Sequence, residues 1–291
     1  MIIDSHCHLE FEENPPEKMI QIMDAGGVDK AVIFAAACDN LPDVPKALLW
    51  LGRTLLQSPL AGVARKIFED ATASKPGELK TGGKFYGIRH RPDNAGIAPV
   101  IKKYPDRFIG YAFLNPKKNP KVTDELMQCV EEYGMKGVKV HPWFHDYDPG
   151  SELMPLARKC HELDIPILMH MGAREDSGNV GAILDAMPDI KLILAHLGIP
   201  FFKRSWEQAR KYPNLYLDIS GPYLSASIVK KAVKVVGAEK LIYGTDGPYG
   251  LRAGKGQWSY EPSKAWVEDL PIGDDDKEKI FSKNLLRLLA S

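Results

Sequence analysis

The sequence predicts an α/β fold, a (β/α)8 TIM barrel of 291 residues with a helical insertion after its second strand. Two observations carry that reading. Eight short apolar runs, each suited to a strand buried on both faces, recur along the chain, and most are separated by an amphipathic stretch of helical length. A third observation, one wide gap between the second and third runs, places the insertion. A doubly wound open sheet is the rival arrangement, because strand order is not written in a sequence.

The runs are MIIDSHCHL at 1–9, KAVIFAAA at 30–37, RFIGYAFLNP at 107–116 and MKGVKVHP at 135–142. Four more follow: IPILMHMG at 165–172, IKLILAHLG at 190–198, NLYLDISG at 214–221 and EKLIYGTDG at 239–247. Between them lie stretches such as TDELMQCVEEYG at 123–134 and SELMPLARKCHELD at 151–164. In the latter, Leu153, Leu156, Ala157, Cys160 and Leu163 recur at the three- and four-residue spacing of one helix face.

Neighbouring runs begin some 25 to 30 residues apart, but the second and third begin at 30 and 107. The stretch at 91–107 suffices to return the chain to the third strand, so residues 38–90 form an insertion within a single domain spanning 1–291. Val44, Ala47, Leu48, Leu51 and Leu55 predict one short helix in it, and Leu60, Val63, Ala64, Ile67 and Phe68 predict a second. The lysine- and glycine-rich SKPGELKTGGK at 74–84 then reads as a mobile loop. Leaving the C-terminal end of a barrel strand, the insertion must emerge on the face where such barrels keep their active sites, as a lid or a subunit contact.

Composition excludes several classes of partner. Thirty-eight basic residues balance thirty-eight acidic ones, so no net field invites nucleic acid or an anionic membrane. No apolar run approaches the eighteen or so residues of a membrane span. The first strand begins at once, leaving no room for a signal peptide, and Cys7, Cys38, Cys129 and Cys160 include no Cys-x-x-Cys pair. A cytoplasmic protein with free thiols is expected, with a small-molecule substrate as its partner and homo-oligomerisation left open.

The histidines supply the chemistry. Alternate residues of a strand share a face, so His6 and His8 project together from the first strand, while Cys7 points the other way into packing. His141 ends the fourth run, His170 the fifth and His196 the sixth, and Asp246 ends the eighth. Five histidines and an aspartate therefore converge on one rim. Imidazole with carboxylate suits a borderline divalent ion, zinc foremost, with manganese, iron or cobalt accepted by the same ligands.

The His-x-His ending strand one, the histidines ending strands five and six and the aspartate ending strand eight resemble the amidohydrolase superfamily. The phrases PDRFIGYAFLNP, GVKVHP, IPILMHMG, LILAHLG and YGTDGP are similar to its amidohydrolase-related branch (amidohydrolase family 2), which includes metal-dependent decarboxylases. The resemblance implies His6, His8, His170 and Asp246 as ligands of one ion. It implies His196 as a catalytic group or the ligand of a second ion, and Asp246 also as the acceptor of a proton from activated water. A divalent ion can bring the pKa of bound water from about 15.7 towards about 7, and a carboxylate beside that water can relay its proton.

Lys139 and His141 share a face of strand four. Lys139 could bridge a second ion as a carboxylated lysine, as in binuclear relatives, or pair deeper in the barrel with Asp4 or Asp218 while His141 faces substrate. Arg174, Tyr249, Tyr223 and Arg252, on loops beyond strands five, seven and eight, are candidates for binding a substrate carboxylate or ring, arginine through a bidentate fork. Trp143 and Phe144 could wall the pocket. The expected function is metal-dependent hydrolysis of a small amide, ester or lactone. Decarboxylation of a small unsaturated or aromatic acid is the alternative, and a non-catalytic metal-binding barrel the alternative from another class.

Overall fold

The computed structural model describes residues 1–12, 14–38, 46–58, 60–72, 78–81, 84–172, 174–176, 178–250 and 258–290. Arg252 and residues 39–45, 59, 73–77 and 82–83 of the insertion lie outside the described residues.

All eight apolar runs contribute a strand. They are β1 (Ile3–Leu9), β2 (Lys30–Ala35), β5 (Phe108–Phe113), β6 (Gly137–Val140), β7 (Ile167–Met169), β8 (Leu192–Leu194), β9 (Leu215–Asp218) and β10 (Leu241–Ile242). Each pairs in parallel with the next, in the order β1-β2-β5-β6-β7-β8-β9-β10. The last side of the barrel is sealed by single hydrogen bonds: Ser5 N–H to the Tyr243 carbonyl at 3.0 Å, Asp246 N–H to that of His6 at 2.8 Å and His8 N–H to that of Gly247 at 2.7 Å.

Strand periodicity sorts the apolar side chains into two layers. Val32 and Phe34 of β2, Leu168 of β7, Ile193 of β8 and Tyr216 of β9 fill the barrel interior, which Leu285 and Leu288 of the C-terminal helix close from below. Their neighbours Ile33, Ile167, Leu192 and Leu217 pack outwards against the helices. The inward row, continued towards the C-terminal ends, runs from Leu168 to His170, from Tyr216 to Asp218 and from Lys139 to His141. Functional side chains therefore cap the same columns whose lower members are core.

The predicted helices appear at Val122–Glu131 and Met154–Glu162, and Asn94–Lys103 returns the chain to β5. Its first turn is capped by Asp93, whose carboxylate accepts from Gly96 N–H at 3.0 Å.

The insertion holds the two expected helices, Lys46–Leu56 and Ala61–Thr72. The expected loop is partly an antiparallel hairpin, β3 (Glu78–Thr81) with β4 (Lys84–Gly87), Thr81 facing Lys84. Two central glycines between paired runs are a strong hairpin signal, and reading them as flexibility overlooked it. The hairpin returns the chain to the end of β2 through a Cys38–Ile88 bridge and a 2.7 Å hydrogen bond from Arg89 N–H to the Ala37 carbonyl.

The insertion leaves after the second barrel strand and touches down on the opposite side. Arg53 donates from Nε and Nη2 to the Pro222 carbonyl beyond β9, the Nε contact at 3.1 Å. Arg65 donates to Glu175 beyond β7 at 2.5 Å and lies 4.6 Å over the ring of Phe201 beyond β8. In an eight-strand circle β8 faces β2, so the insertion crosses the C-terminal end of the barrel. No described helix is long and apolar enough to cross a membrane.

Candidate metal and active site

At the C-terminal end of the barrel, His6, His196 and Asp246 bring ligand atoms to within 4.8 Å of one another, a group that could hold one divalent ion. His6 Nε2 and His8 Nε2 stand 3.2 and 3.4 Å from Asp246 Oδ1, and His196 Nε2 stands 4.0 Å from Asp246 Oδ2. His170 joins through its Nδ1, 3.1 Å from His196 Nε2. These five of the six converging residues thus form one cluster, buried except for the half-buried His170. The grouping differs from the expected ligand set in one respect: His196 stands with His6 and Asp246, while His8 and His170 flank them.

Three of these residues lie past their strands, His170 directly after β7 and the other two further on. His196 and Asp246 both have left-handed backbones, at φ 56° and 62°, and Leu197 continues the left-handed turn at φ 57°. L-residues other than glycine adopt this region rarely. Here it turns the chain back over the barrel mouth instead of letting it run outwards. Gly221, at φ 85°, makes room, because a Cβ there would stand 2.6 Å from His196 Nδ1 and 3.5 Å from Asp246 Oδ2.

Asp218, at the end of β9, organises the cluster. Its Oδ2 accepts from His6 Nδ1 at 2.8 Å, and its Oδ1 accepts from the backbone N–H groups of His196 and Ser220 at 2.8 and 3.0 Å. With its Nδ1–H donating a hydrogen bond to Asp218, His6 presents a bare Nε2 to the site, and a carboxylate behind the ring strengthens it as a donor to a cation. His196 Nδ1 meets the Ser220 carbonyl at 3.0 Å, so its Nε2 is likewise turned inwards. Strand-end reasoning named Asp218 only as a partner for Lys139. The signal for its larger role was present, since it ends the seventh run as Asp246 ends the eighth.

The charges follow from burial. Burial works against ionisation of Asp246, yet His6 and His196 hold its carboxyl well below the usual range, and Asp218 is held low by His6 and His196 in the same way. Burial lowers His8 to about 4 and, with His196 adding to it, pushes His170 far down. His196 is also lowered by burial. His6 is the exception: burial and Lys139 work against its protonation, but Asp218 and Asp246 raise it. Neutral imidazoles at His8, His170 and His196 beside an ionised carboxylate are the kind of donor a divalent ion requires, and His8 Nδ1 is buried without a hydrogen-bond partner among the described residues.

Lys139 finds a different partner from the carboxylates expected deeper in the barrel. Its ammonium, lowered to about 8 by burial, sits 2.9 Å from His6 Nε2 and 5.1 Å over the Phe34 ring. Among the described residues it is within ion-pair distance of neither Asp4 nor Asp218. Asp4 is engaged elsewhere, accepting from Cys7 Sγ at 2.8 Å and Thr245 Oγ1 at 2.5 Å beneath the site, which gives Cys7 its packing role.

His141 lies flat between Phe144, at 3.7 Å and 5°, and His170, at 4.0 Å and 13°, with Trp143 stacked 6.0 Å from His170. Its Nδ1 accepts from Phe144 N–H at 3.2 Å. The Tyr249 ring stands edge-on 5.2 Å from His8 while its hydroxyl donates to Glu10, and the Tyr223 ring lies 6.2 Å from His196. Arg174 is drawn away, donating to Asp146 at 2.6 Å and Asp176 at 3.0 Å.

Similar proteins share this architecture. "Gamma-resorcylate decarboxylase" of Rhizobium radiobacter is 21% identical over 253 residues, which cover 68% of this chain and 75% of that protein. A solved "2,6-Dihydroxybenzoate Decarboxylase Complexed with 2,6-Dihydroxybenzoate" superposes with TM-score 0.63 at 17% identity over 100% of this chain and 99% of that one. A dihydroxybenzoic acid decarboxylase of Polaromonas sp. JS666, solved with bound manganese and the inhibitor 2-nitroresorcinol, gives TM-score 0.62 at 18% identity over 99% and 96%. The family model for "Amidohydrolase" matches residues 78–290, from the hairpin of the insertion through His141, His170, His196 and Asp246, with His6 and His8 lying upstream of the match. With three quarters of the barrel matched and the histidine–aspartate cluster at its mouth, the chain belongs to the amidohydrolase family.

Proposed function

We propose that this protein is a metal-dependent decarboxylase of a small aromatic carboxylic acid. The observation that carries the reading is the likeness to γ-resorcylate decarboxylase across two thirds of this chain and three quarters of that enzyme. It favours the alternative over the expected hydrolysis. The wall formed by Trp143, Phe144, His141 and His170 adds support, since flat stacked rings suit a planar substrate.

His6, His8, His170 and Asp246 would hold one divalent ion, manganese or zinc. When bound, the ion supplies Lewis-acid charge for the negative charge that gathers on substrate oxygens. In the reaction the bond from ring carbon to carboxylate breaks, carbon dioxide leaves and a proton takes its place. Asp246 and His196 would relay that proton, a reading supported by the 4.0 Å between their Oδ2 and Nε2. Tyr249 and His141 would bound the substrate, and the insertion would act as a lid that excludes water.

The test is turnover. Protein loaded with manganese, and separately with zinc, is offered 2,6-dihydroxybenzoate and other hydroxybenzoates, and carbon dioxide release is measured beside a panel of lactones, esters and amides. Release of carbon dioxide from an aromatic acid is expected. Hydrolysis of a panel member with no acid decarboxylated would replace this reading with the hydrolase.

A further inference from the structure

Carboxylate capture was expected of Arg174, but its charge is met by Asp146 and Asp176. Arg65 and Arg204 share Glu175, at 2.5 and 2.8 Å. Arg53, on the first helix of the insertion, is different. Among the described residues its hydrogen-bond partner is a backbone carbonyl, that of Pro222, and no carboxylate lies within ion-pair distance. A carbonyl orients a guanidinium without neutralising it. The Arg53 side chain is partly buried, so its charge is neither paired nor fully hydrated, a costly condition in the absence of an anion.

Its position gives the condition a meaning. Pro222 directly follows Gly221, the residue packed against His196 and Asp246, and precedes Tyr223, whose ring faces His196 at 6.2 Å. Arg53 is therefore tethered to the loop that walls the cluster. Nε and Nη2 are turned to Pro222, and of the five N–H bonds of a guanidinium three remain to receive a planar anion.

We propose that Arg53 binds a second carboxylate of the substrate, one carried on the ring away from the carboxylate at the metal. The substrate class is then an aromatic dicarboxylate, and Arg53 is the residue that selects it. The proposal rests on the reading of the site as one for aromatic acids, and deepens it.

The experiment is calorimetric binding of isophthalate and benzoate to manganese-loaded protein, which requires no turnover. The wild-type protein should prefer isophthalate. Arg53→Met should weaken isophthalate by about tenfold or more, the usual scale for a charge-assisted pair, and leave benzoate within about twofold. Arg53→Lys should fall between. Glu175→Gln loosens the other anchor of the insertion without touching Arg53 and should keep the wild-type preference. If Glu175→Gln abolishes the preference as Arg53→Met does, Arg53 is only an anchor, and the proposal is overturned. A wild-type protein that does not prefer isophthalate overturns it as well. Failure to release carbon dioxide from any acid, with the preference and its loss in Arg53→Met intact, would count against the decarboxylase reading alone.

Discussion

Asp218 and Glu175 are both carboxylates that join groups from two separate elements, yet they work in opposite surroundings. Asp218 is fully buried and accepts from His6, His196 and Ser220 at the floor of the site. Glu175, its side chain 62% exposed, bridges Arg65 of the insertion to Arg204 on the far side of the mouth. A network out of reach of water is strengthened by its low dielectric and resists rearrangement, whereas an exposed pair is screened and contributes about 0–1 kcal/mol. The floor is thus fixed, and the cover above it is held by contacts weak enough to open.

The comparison is broken most severely at Asp246. Asp246→Asn keeps the size of the side chain and an oxygen towards the ion, but the amide cannot carry a proton at neutral pH. Turnover at full metal occupancy should fall on the order of a hundredfold or more in kcat. Wild-type turnover in that variant would reduce Asp246 to a ligand.

Asp218→Asn should act through the metal instead. Removing the charge behind His6 Nδ1 is expected to lower metal affinity about 10- to 100-fold, read by titration against a chelator, with the fold intact by circular dichroism. An unchanged affinity would mean that Asp218 serves folding alone.

At the exposed end, Glu175→Gln should lower unfolding free energy by no more than about 1 kcal/mol in denaturant titration. A larger loss would show the cover to be part of the cooperative fold, and the contrast between the two carboxylates would collapse.

Much of the barrel was legible because burial on both faces leaves a plain mark: every apolar run became a strand, and alternation within each assigned its layers. The convergence of His6, His8, His170, His196 and Asp246 followed from strand ends alone. The aim of the last two did not, because a left-handed backbone at a histidine or an aspartate leaves no trace in hydrophobic periodicity. Arg53 was equally hidden. Its contact with Pro222 spans 169 residues, and nothing near Arg53 in sequence distinguishes it from an ordinary helix-surface arginine. Asp218 was readable by the rule that found Asp246, but aspartate is also common in turns, which weakens the signal of an aspartate at a strand end.

The left-handed residues carry a consequence for how such a chain changes over generations. Each such conformation away from glycine costs about 1–3 kcal/mol, and His196, Leu197 and Asp246 hold it side by side with the reacting groups. Glycine or asparagine at 196 or 246 would relax the backbone, so the mutations easiest to accept on stability grounds are ones that silence the site. A lineage released from selection for turnover would lose these two side chains early and keep its barrel, whereas Leu168 or Ile193 deeper in the same columns would persist.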